Sequence, residues 1–175
     1  MHKLSVTLRL ATPGDAAKLA RFAEMTFRES YASQNTVADM NAYVDATFQP
    51  EGIARELDDP SNTFIIAQTP DQVVGYAKLR RGKSVSCVSA DPAAELERIY
   101  VHPDLAGKGV GKRLLARSLD IVRAEAAACL WLGVWEHNQR AIEFYISQGF
   151  VDVGSHYFRL GSQLQGDRIM QLELR

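Results

Sequence analysis

Hydrophobic and polar positions in the first third of the chain follow the pattern of one strand and then helices. Residues 4–10 alternate apolar and polar side chains, which predicts a half-buried strand. Residues 12–15, Thr-Pro-Gly-Asp, supply a threonine N-cap and a proline at the first helical position. We expect the helix that begins there to reach about Ser30. Apolar spacing predicts two shorter helices over 36–47 and 50–58.

Two apolar runs in the middle of the chain have the spacing of a β-hairpin. They cover residues 63–67 and 73–79, and a Thr-Pro-Asp-Gln segment suited to a tight turn lies between them. The small and polar residues 81–93 that follow predict a loop.

Strand-like and helix-like segments alternate in the second half of the chain. We expect strands at 95–101, 130–134, 150–157 and 168–174, and helices at 109–127 and 138–148, the last closed by Gly149. The strand at 130–134 comes after a helix that itself follows a strand, so it should lie parallel to the strand at 95–101. This order predicts a single domain over residues 1–175, built as a mixed sheet with helices on both faces.

Composition and charge narrow the class of protein. The 175 residues are 46% hydrophobic and 23% charged, which is typical of one globular domain. A formal net charge of −1 gives no reason to expect a nucleic-acid partner. We find no signal-peptide pattern and no run near the ~20 apolar residues of a membrane span, so we expect a cytoplasmic protein with no membrane partner. Cys87 and Cys129 lack the spacing of metal ligands or of a CxxC motif.

The most informative segment is a glycine-rich turn between a predicted strand and a predicted helix. The strand ends at His102-Pro103, the turn contains Gly107, Gly109 and Gly111, and the helix opens with basic residues. This order points backbone N–H groups outward at a helix N-terminus, where the aligned peptide dipoles also favour negative charge. The segment therefore predicts a site for a phosphate-bearing ligand.

Two common phosphate-binding loops do not fit this turn. A Walker A loop, G-x-x-x-x-G-K-[ST], would need glycine in place of Ala106 and a hydroxyl residue in place of Arg113. Without that hydroxyl the usual magnesium ligand is missing. The dinucleotide fingerprint G-x-G-x-x-G would need glycine in place of Lys112.

The spacing Gly109-x-Gly111, with Gly107 before it, resembles the pyrophosphate loop of the GNAT superfamily of N-acetyltransferases, whose motif is [Q/R]-x-x-G-x-[G/A]. Ala106 departs from the first position of that motif, and the neighbouring basic residues can supply charge in its place. A second family signature follows at the expected distance, Asn138-x-x-Ala141-x-x-Phe144-Tyr145-x-x-x-Gly149-Phe150. The two motifs together extend the resemblance over nearly the whole chain.

Finer features are similar to the PaiA-type polyamine N-acetyltransferases of bacteria. They lie in the segments 34–35, 97–101, 131–136, 154–156 and 167–170. The resemblance implies a fold of class α/β, in which a central, mixed, mostly antiparallel sheet of about seven strands is flanked by helices and splayed between its fourth and fifth strands. It also implies direct transfer of an acetyl group from acetyl-CoA to an amine, without a metal.

In the resembling family, backbone groups hold acetyl-CoA, and its pantetheine arm pairs with a strand as though it were another strand. Carried over to this sequence, the predicted cofactor-binding residues are Ile99, Tyr100, Val101, Gly107, Lys108, Gly109, Val110, Gly111, Lys112, Asn138 and Tyr145. The main-chain amides of residues 107–112 should converge on the diphosphate. Asn138 is also a good N-cap, and the two roles are compatible.

The resemblance places Tyr145 beside the thioester sulfur and makes it the predicted general acid. A phenol with a pKa of about 10 stays protonated at neutral pH and can protonate a thiolate of somewhat lower pKa. The alternative is an amphipathic tyrosine of the core.

Glu97 is the predicted base that takes the amine proton, with Glu95 as its substitute. Strand alternation predicts that both glutamates share a face with Ile99, opposite Arg98 and Tyr100. An ordinary carboxylate is a weak base toward an ammonium, so we expect a water relay or prior loss of the proton to bulk water. A structural ion pair is the open alternative for Glu97.

The acceptor amine should bind where the first two helices cover the splayed end of the sheet. The predicted substrate-binding residues are Glu29, Tyr31 and Glu97, with Asp39 and Tyr43 nearby. Carboxylates and aromatic rings suit an extended polyamine cation. The histidines show no ligand spacing, so we expect no metal.

The sequence therefore predicts an acetyl-CoA-dependent N-acetyltransferase that acts on a small-molecule amine, with a polyamine such as spermidine favoured. The alternatives are acetylation of a protein N-terminus, a lysine or an amine antibiotic, and a non-catalytic acyl-CoA-binding sensor. Family members are often dimers, and residues 150–157 with the last strand would carry the interface of a homodimer.

Overall fold

The structure, a computed structural model, describes residues 5–174 and has a seven-stranded sheet at its centre. The strands are β1 (Thr7–Leu10), β2 (Asn62–Gln68), β3 (Val73–Arg81), β4 (Ala93–Val101), β5 (Cys129–Trp135), β6 (Val151–Leu160) and β7 (Gln163–Glu173). The helices are α1 (Ala16–Tyr31), α2 (Val37–Thr47), α3 (Pro50–Asp58), α4 (Val110–Ala124) and α5 (Gln139–Ser147). The sheet order is β1-β2-β3-β4-β5-β7-β6, with β4 and β5 parallel and the other neighbours antiparallel. The predicted mixed, mostly antiparallel sheet of seven strands is confirmed.

Helices cover both faces of this sheet, as the order of elements predicts. On one face α4 and α5 enclose a core that includes Leu114, Leu130 and Met170, each 0% exposed. On the other face α1, α2 and α3 cover Phe64 and Tyr76. Each fully buried side chain of this size stabilises the fold by about 2 kcal/mol. Within residues 5–174, no helix has the length and apolar character needed to cross a membrane.

Most element boundaries lie within a few residues of their predicted positions. Thr12 is the predicted cap, and its N–H donates to Asp15 at 2.8 Å, but a short 3-10 turn over 13–15 precedes α1. Strand β1 begins at Thr7, later than predicted, and Leu4 of the predicted strand lies outside the described residues.

The hairpin of β6 and β7 is longer than the sequence suggests. Leu160 pairs with Gln163 across the two-residue turn Gly161-Ser162, so a segment predicted as a loop is strand. The polar residues of this arm hide its strand pattern. Gly161 has a φ of +58°, and Ser162 donates to Asp39 from its N–H and its hydroxyl at 2.8 and 2.9 Å. The turn is therefore fixed against α2.

The sheet opens between β4 and β5. These two parallel strands pair only over Ala93–Glu95 and Cys129–Trp131 within the described residues, whereas β4 pairs with β3 as far as Val101. The predicted splay between the fourth and fifth strands is confirmed. It leaves the far half of β4 with one strand edge open toward the gap.

A β-bulge at Glu97 overturns the predicted face assignment of β4. Leu96 pairs with Leu79 and Arg98 pairs with Lys78, which leaves Glu97 without a partner residue on β3. The extra residue reverses the alternation at this point. As a result, Glu95 and Glu97 lie on the same side as Arg98 and Tyr100, whereas Ile99 and Val101 pack with Leu96 under α4.

Candidate active site

The turn before α4 has the backbone shape that exposes amides. Gly107 and Gly109 have φ values of +77° and +85°, a left-handed conformation that glycine adopts without steric cost. Gly109 is the N-cap of α4 and has no side chain to cap the helix. The amides of Val110, Gly111 and Lys112 find no acceptor within residues 5–174. The N-terminus of α4 is therefore ready to bind an anion.

One predicted amide does not take part. The N–H of Lys108 donates to the carbonyl of Leu105 at 3.1 Å and so is already satisfied within the turn. The expectation that every amide from 107 to 112 points at the ligand is wrong at this residue. Its side chain remains free to add positive charge.

A groove of about 550 Å³ runs from this turn into the gap between β4 and β5. Its lining includes eight of the predicted cofactor residues, which are Ile99, Val101, Gly107, Gly109, Gly111, Lys112, Asn138 and Tyr145. It also includes residues that the sequence reasoning missed, namely Ser30, Leu105, Ala106, Arg140, Ala141, Phe144 and Gln148. The open edge of β4 lies along this groove, where an extended amide-bearing chain can pair with it.

Three predicted cofactor residues do not line the groove with their side chains. Val110 is buried under the sheet, Lys108 lies outside the lining, and Tyr100 faces the opposite side of the sheet. Arg140 is the missed cation of greatest interest, because its guanidinium lies near Gly107 at the diphosphate end. Arg140 could have been found from the sequence, because it lies in the first turn of α5, two residues after Asn138.

Two side chains of the second motif meet the groove. The Asn138 side chain accepts from the N–H of Ala141 at 3.2 Å and caps α5. Tyr145 is 7% exposed, and burial and then Tyr31 raise its pKa above the ordinary value. The phenol is therefore protonated at neutral pH, as the role of an acid requires.

A second cavity of about 280 Å³ lies on the other face of the sheet beside the gap. Aromatic rings form much of its wall, and they are Phe27, Tyr31, Tyr43, Phe48, Tyr100, Trp135 and Phe158. Its charged and polar residues are Arg80, Lys83, Glu95, Glu97, Arg98, His156 and Asp167. The aromatic rings of this cavity suit a cation with an alkyl chain, and its three carboxylates lie among three basic residues.

The structure brings some of the predicted acceptor residues to this cavity and leaves others outside it. Tyr31, Tyr43 and Glu97 line the cavity. Glu29 is exposed on α1 and lies outside the lining of both cavities. Asp39 is committed to the β6–β7 turn instead. The helical pattern of α1 alone could not show which side of the helix faces the cavity.

Glu97 belongs to an ion-pair network. Its carboxylate contacts Lys78, and it lies 3.1 Å from Arg80. Burial pushes the pKa of Glu97 upward, but Arg98, Lys78 and Arg80 outweigh burial and hold the pKa below its ordinary value. Such a carboxylate is a poor proton acceptor.

Groups of three or more His, Cys, Asp or Glu side chains that could hold a metal ion do not occur within residues 5–174.

A helix N-terminus with free amides lies at the mouth of a gap between parallel strands, an arrangement that suits an extended ligand with a phosphate group. The chain belongs to the acetyltransferase (GNAT) family, whose model matches residues 25–150. It is an acetyl-CoA-dependent N-acetyltransferase that acetylates an amine.

Two relatives illustrate the membership. An uncharacterized N-acetyltransferase in the pepI 3′ region of Lactobacillus delbrueckii subsp. lactis is 30% identical over 161 residues, which cover 91% of this chain and 92% of that protein. The N-alpha-acetyltransferase RimI of Mycobacterium tuberculosis is 33% identical over 120 residues, which cover 66% of this chain and 70% of RimI.

The fold is similar to that of a PaiA N-acetyltransferase from Thermoplasma acidophilum, solved in complex with coenzyme A. The TM-score is 0.77 at 20% sequence identity, and the match covers 97% of this chain and 99% of that one. At this identity the similarity shows the fold.

Proposed function

We propose that this enzyme acetylates a primary amine of a small polyamine such as spermidine. The observation that carries the proposal is the cavity beside the gap, where aromatic rings and carboxylates surround about 280 Å³. Aromatic faces and carboxylates both attract alkylammonium groups, and the rings also cover the methylene chain between them. The PaiA name of the structural neighbour agrees with this choice.

In this proposal each of the two cavities binds one of the two substrates. Acetyl-CoA lies in the groove, with its diphosphate on the amides of α4 and its pantetheine arm along the backbone of Ile99, Tyr100 and Val101. Tyr145 protonates the departing thiolate. Glu97 contributes negative charge to the acceptor cavity, and its ion pairs with Lys78 and Arg80 favour a positioning role.

A protein N-terminus is the second candidate acceptor. The similarity to RimI supports it, since RimI is an N-alpha-acetyltransferase. Against it stands the aromatic wall of the cavity, which can cover the methylene chain of a polyamine along its length. We further propose that the enzyme is cytoplasmic. A homodimer through the β6–β7 hairpin stays a prediction, and this hairpin exposes Val151, Tyr157 and Leu164.

The test measures release of free thiol from acetyl-CoA with a panel of amines at matched concentration. Spermidine, an alanyl hexapeptide and free lysine represent the candidate classes, and acetyl-CoA without amine gives the background. We expect the highest kcat/KM with spermidine. Preference for the hexapeptide would contradict the polyamine proposal and support the second candidate.

A further inference from the structure

One carboxylate of the acceptor cavity lacks a strong cationic partner. Asp167 on β7 is 9% exposed, and no Lys or Arg within residues 5–174 lies at salt-bridge distance from its carboxylate. Within residues 5–174 the imidazole of His156 is the group at salt-bridge distance, with its Nε2 atom 3.5 Å from Oδ2. Burial, and then the charge of Glu136, raise the pKa of Asp167 to about 6. An ammonium group would supply the charge that this site lacks.

The backbone of β5 leaves room for this pair of residues. At Gly133 a Cβ atom would lie 3.2 Å from Asp167 Oδ2 and 3.4 Å from His156 Nε2. Any larger residue would press on both side chains. The Nε2 atom of His156 is buried and makes no hydrogen bond within the described residues, so it too can receive a polar ligand.

The other carboxylates of the cavity are already paired. Glu97 contacts Lys78 and Arg80, and Glu95 receives the guanidinium of Arg80 at 2.7 Å. A substrate ammonium would have to compete with these fixed cations. Asp167 offers it an unshared charge.

The residues next to Asp167 extend toward the cofactor groove. It pairs with Trp135 across β5 and β7, and the Trp135 ring contacts Tyr31 at 6.1 Å between centroids. Ser30, the residue before Tyr31 on α1, lines the cofactor groove together with Tyr145. An amine held at Asp167 therefore lies at the end of the acceptor cavity formed by Trp135 and Tyr31, next to the α1 residue that borders the cofactor groove.

We propose that Asp167 and His156 form the amine-binding and proton-accepting pair of this acetyltransferase, an inference that rests on the proposed amine acetylation. The ammonium of the acceptor binds to the Asp167 carboxylate and gives one proton to the pair. The freed nitrogen lone pair attacks the thioester carbonyl carbon. The C–S bond then breaks with its electron pair on sulfur, which takes a proton from Tyr145, and the second proton lost from nitrogen restores Tyr145. His156 is partly exposed and returns the first proton to solvent.

The ionisation of Asp167 gives this proposal a pH signature. The groups around it are His156 on β6, Glu136 after β5 and Tyr31 on α1. The same cavity is also lined by the charged residues Arg80, Lys83, Glu95, Glu97 and Arg98. Only the ionised carboxylate attracts an ammonium. With a pKa raised to about 6, kcat/KM for the amine should fall as the pH drops through that value.

The decisive comparison is between Asp167→Asn and Asp152→Asn. Asp152 is an exposed carboxylate on β6 that lies 3.5 Å from Arg168, so it controls for loss of one negative charge on the same hairpin. Rates are measured by thiol release from about pH 5 to about pH 9, with acetyl-CoA and either spermidine or an alanyl hexapeptide. Calorimetry with coenzyme A verifies that each variant is folded.

We expect Asp167→Asn to lower kcat/KM for the amine about 100-fold and to remove the inflection near pH 6, with KM for acetyl-CoA unchanged. Asp152→Asn should behave as wild type. If Asp167→Asn fails to bind coenzyme A, the same rates are measured for His156→Gln. We expect that variant to have a kcat about 10-fold below that of the wild type. If the folded variant keeps both the inflection and the wild-type kcat/KM, the proposed role of Asp167 and His156 is wrong.

The choice of two amines separates this inference from the substrate proposal. Wild-type activity on the hexapeptide alone contradicts the polyamine, and the variants are then compared on the hexapeptide. Activity on neither amine overturns both proposals.

Discussion

Tyr145 is the residue that most directly joins the cofactor groove to a reaction. It lies in the groove lining, its ring packs against Phe144 and Phe150, and burial keeps its phenol protonated. The same burial that makes it part of the core makes it a proton donor at neutral pH. The two interpretations that the sequence left open for Tyr145 are therefore compatible.

Replacement of Tyr145 by phenylalanine keeps the packing and removes the proton. We expect kcat to fall about 100-fold, because the thiolate then leaves without general acid assistance. The affinity for coenzyme A should stay within about twofold, since backbone amides supply most of the binding. Steady-state kinetics and calorimetry measure the two quantities.

The matched control for this change is Tyr157→Phe, because Tyr157 is 74% exposed on β6 and lies outside both cavities. It should leave kcat unchanged. Unaltered turnover in Tyr145→Phe would contradict the assignment of Tyr145 as the acid.

Single residues also mark the limit of sequence reasoning at the site. Gly107, Gly109 and Asn138 were predictable, because turns and caps leave local signals, and Tyr145 was predictable from the resemblance of its motif to the family signature. Asp167 was not, because it comes from a polar strand far along the chain and meets the cavity only through the pairing of β5, β6 and β7. Long-range pairing leaves no local pattern that identifies a buried carboxylate.

The glycine-rich turn and α4 act together as one element. The left-handed Gly109 ends the turn and begins the helix, which directs the free amides of Val110, Gly111 and Lys112 outward. The glycine spacing and the helical pattern after it are visible in the sequence, so this element was predictable. The β4 bulge was not predictable, because it arises where Glu97 has no partner on β3, and only the pairing of the two strands shows this.

Replacement of Gly109 by alanine tests the conformation of this element. A Cβ at Gly109 meets nothing within 4 Å, so the substitution acts through the φ of +85° alone. We expect the strained turn to cost about 1 kcal/mol of stability and to weaken coenzyme A binding about 10-fold. Calorimetry gives the affinity, and thermal unfolding gives the stability.

Gly82→Ala is the matched control. Gly82 has a φ of +74°, and its Cβ position is also open, but it lies in the loop after β3. It should lower stability by a similar amount and leave coenzyme A affinity unchanged. Equal affinity losses in both variants would show that the effect comes from general destabilisation.

At the scale of the whole molecule, the splay between β4 and β5 connects the two faces of the sheet. The cofactor groove lies on the α4 and α5 side, and the acceptor cavity lies beneath α1 and α2. The order of elements predicted the sheet, its parallel pair and the two helical layers. The order of elements could not predict the shape of the acceptor cavity, since aromatic residues of five helices and strands, together with Phe48 after α2, build that cavity.

The central claim is that the amides at the start of α4 bind the diphosphate of coenzyme A. Calorimetry with coenzyme A and with pantetheine, which lacks the diphosphate, tests it most directly. We predict one coenzyme A per chain and an affinity for pantetheine about 100-fold weaker, because the helix N-terminus then has no anion to bind. No heat with coenzyme A, or equal affinity for the two ligands, would contradict the account.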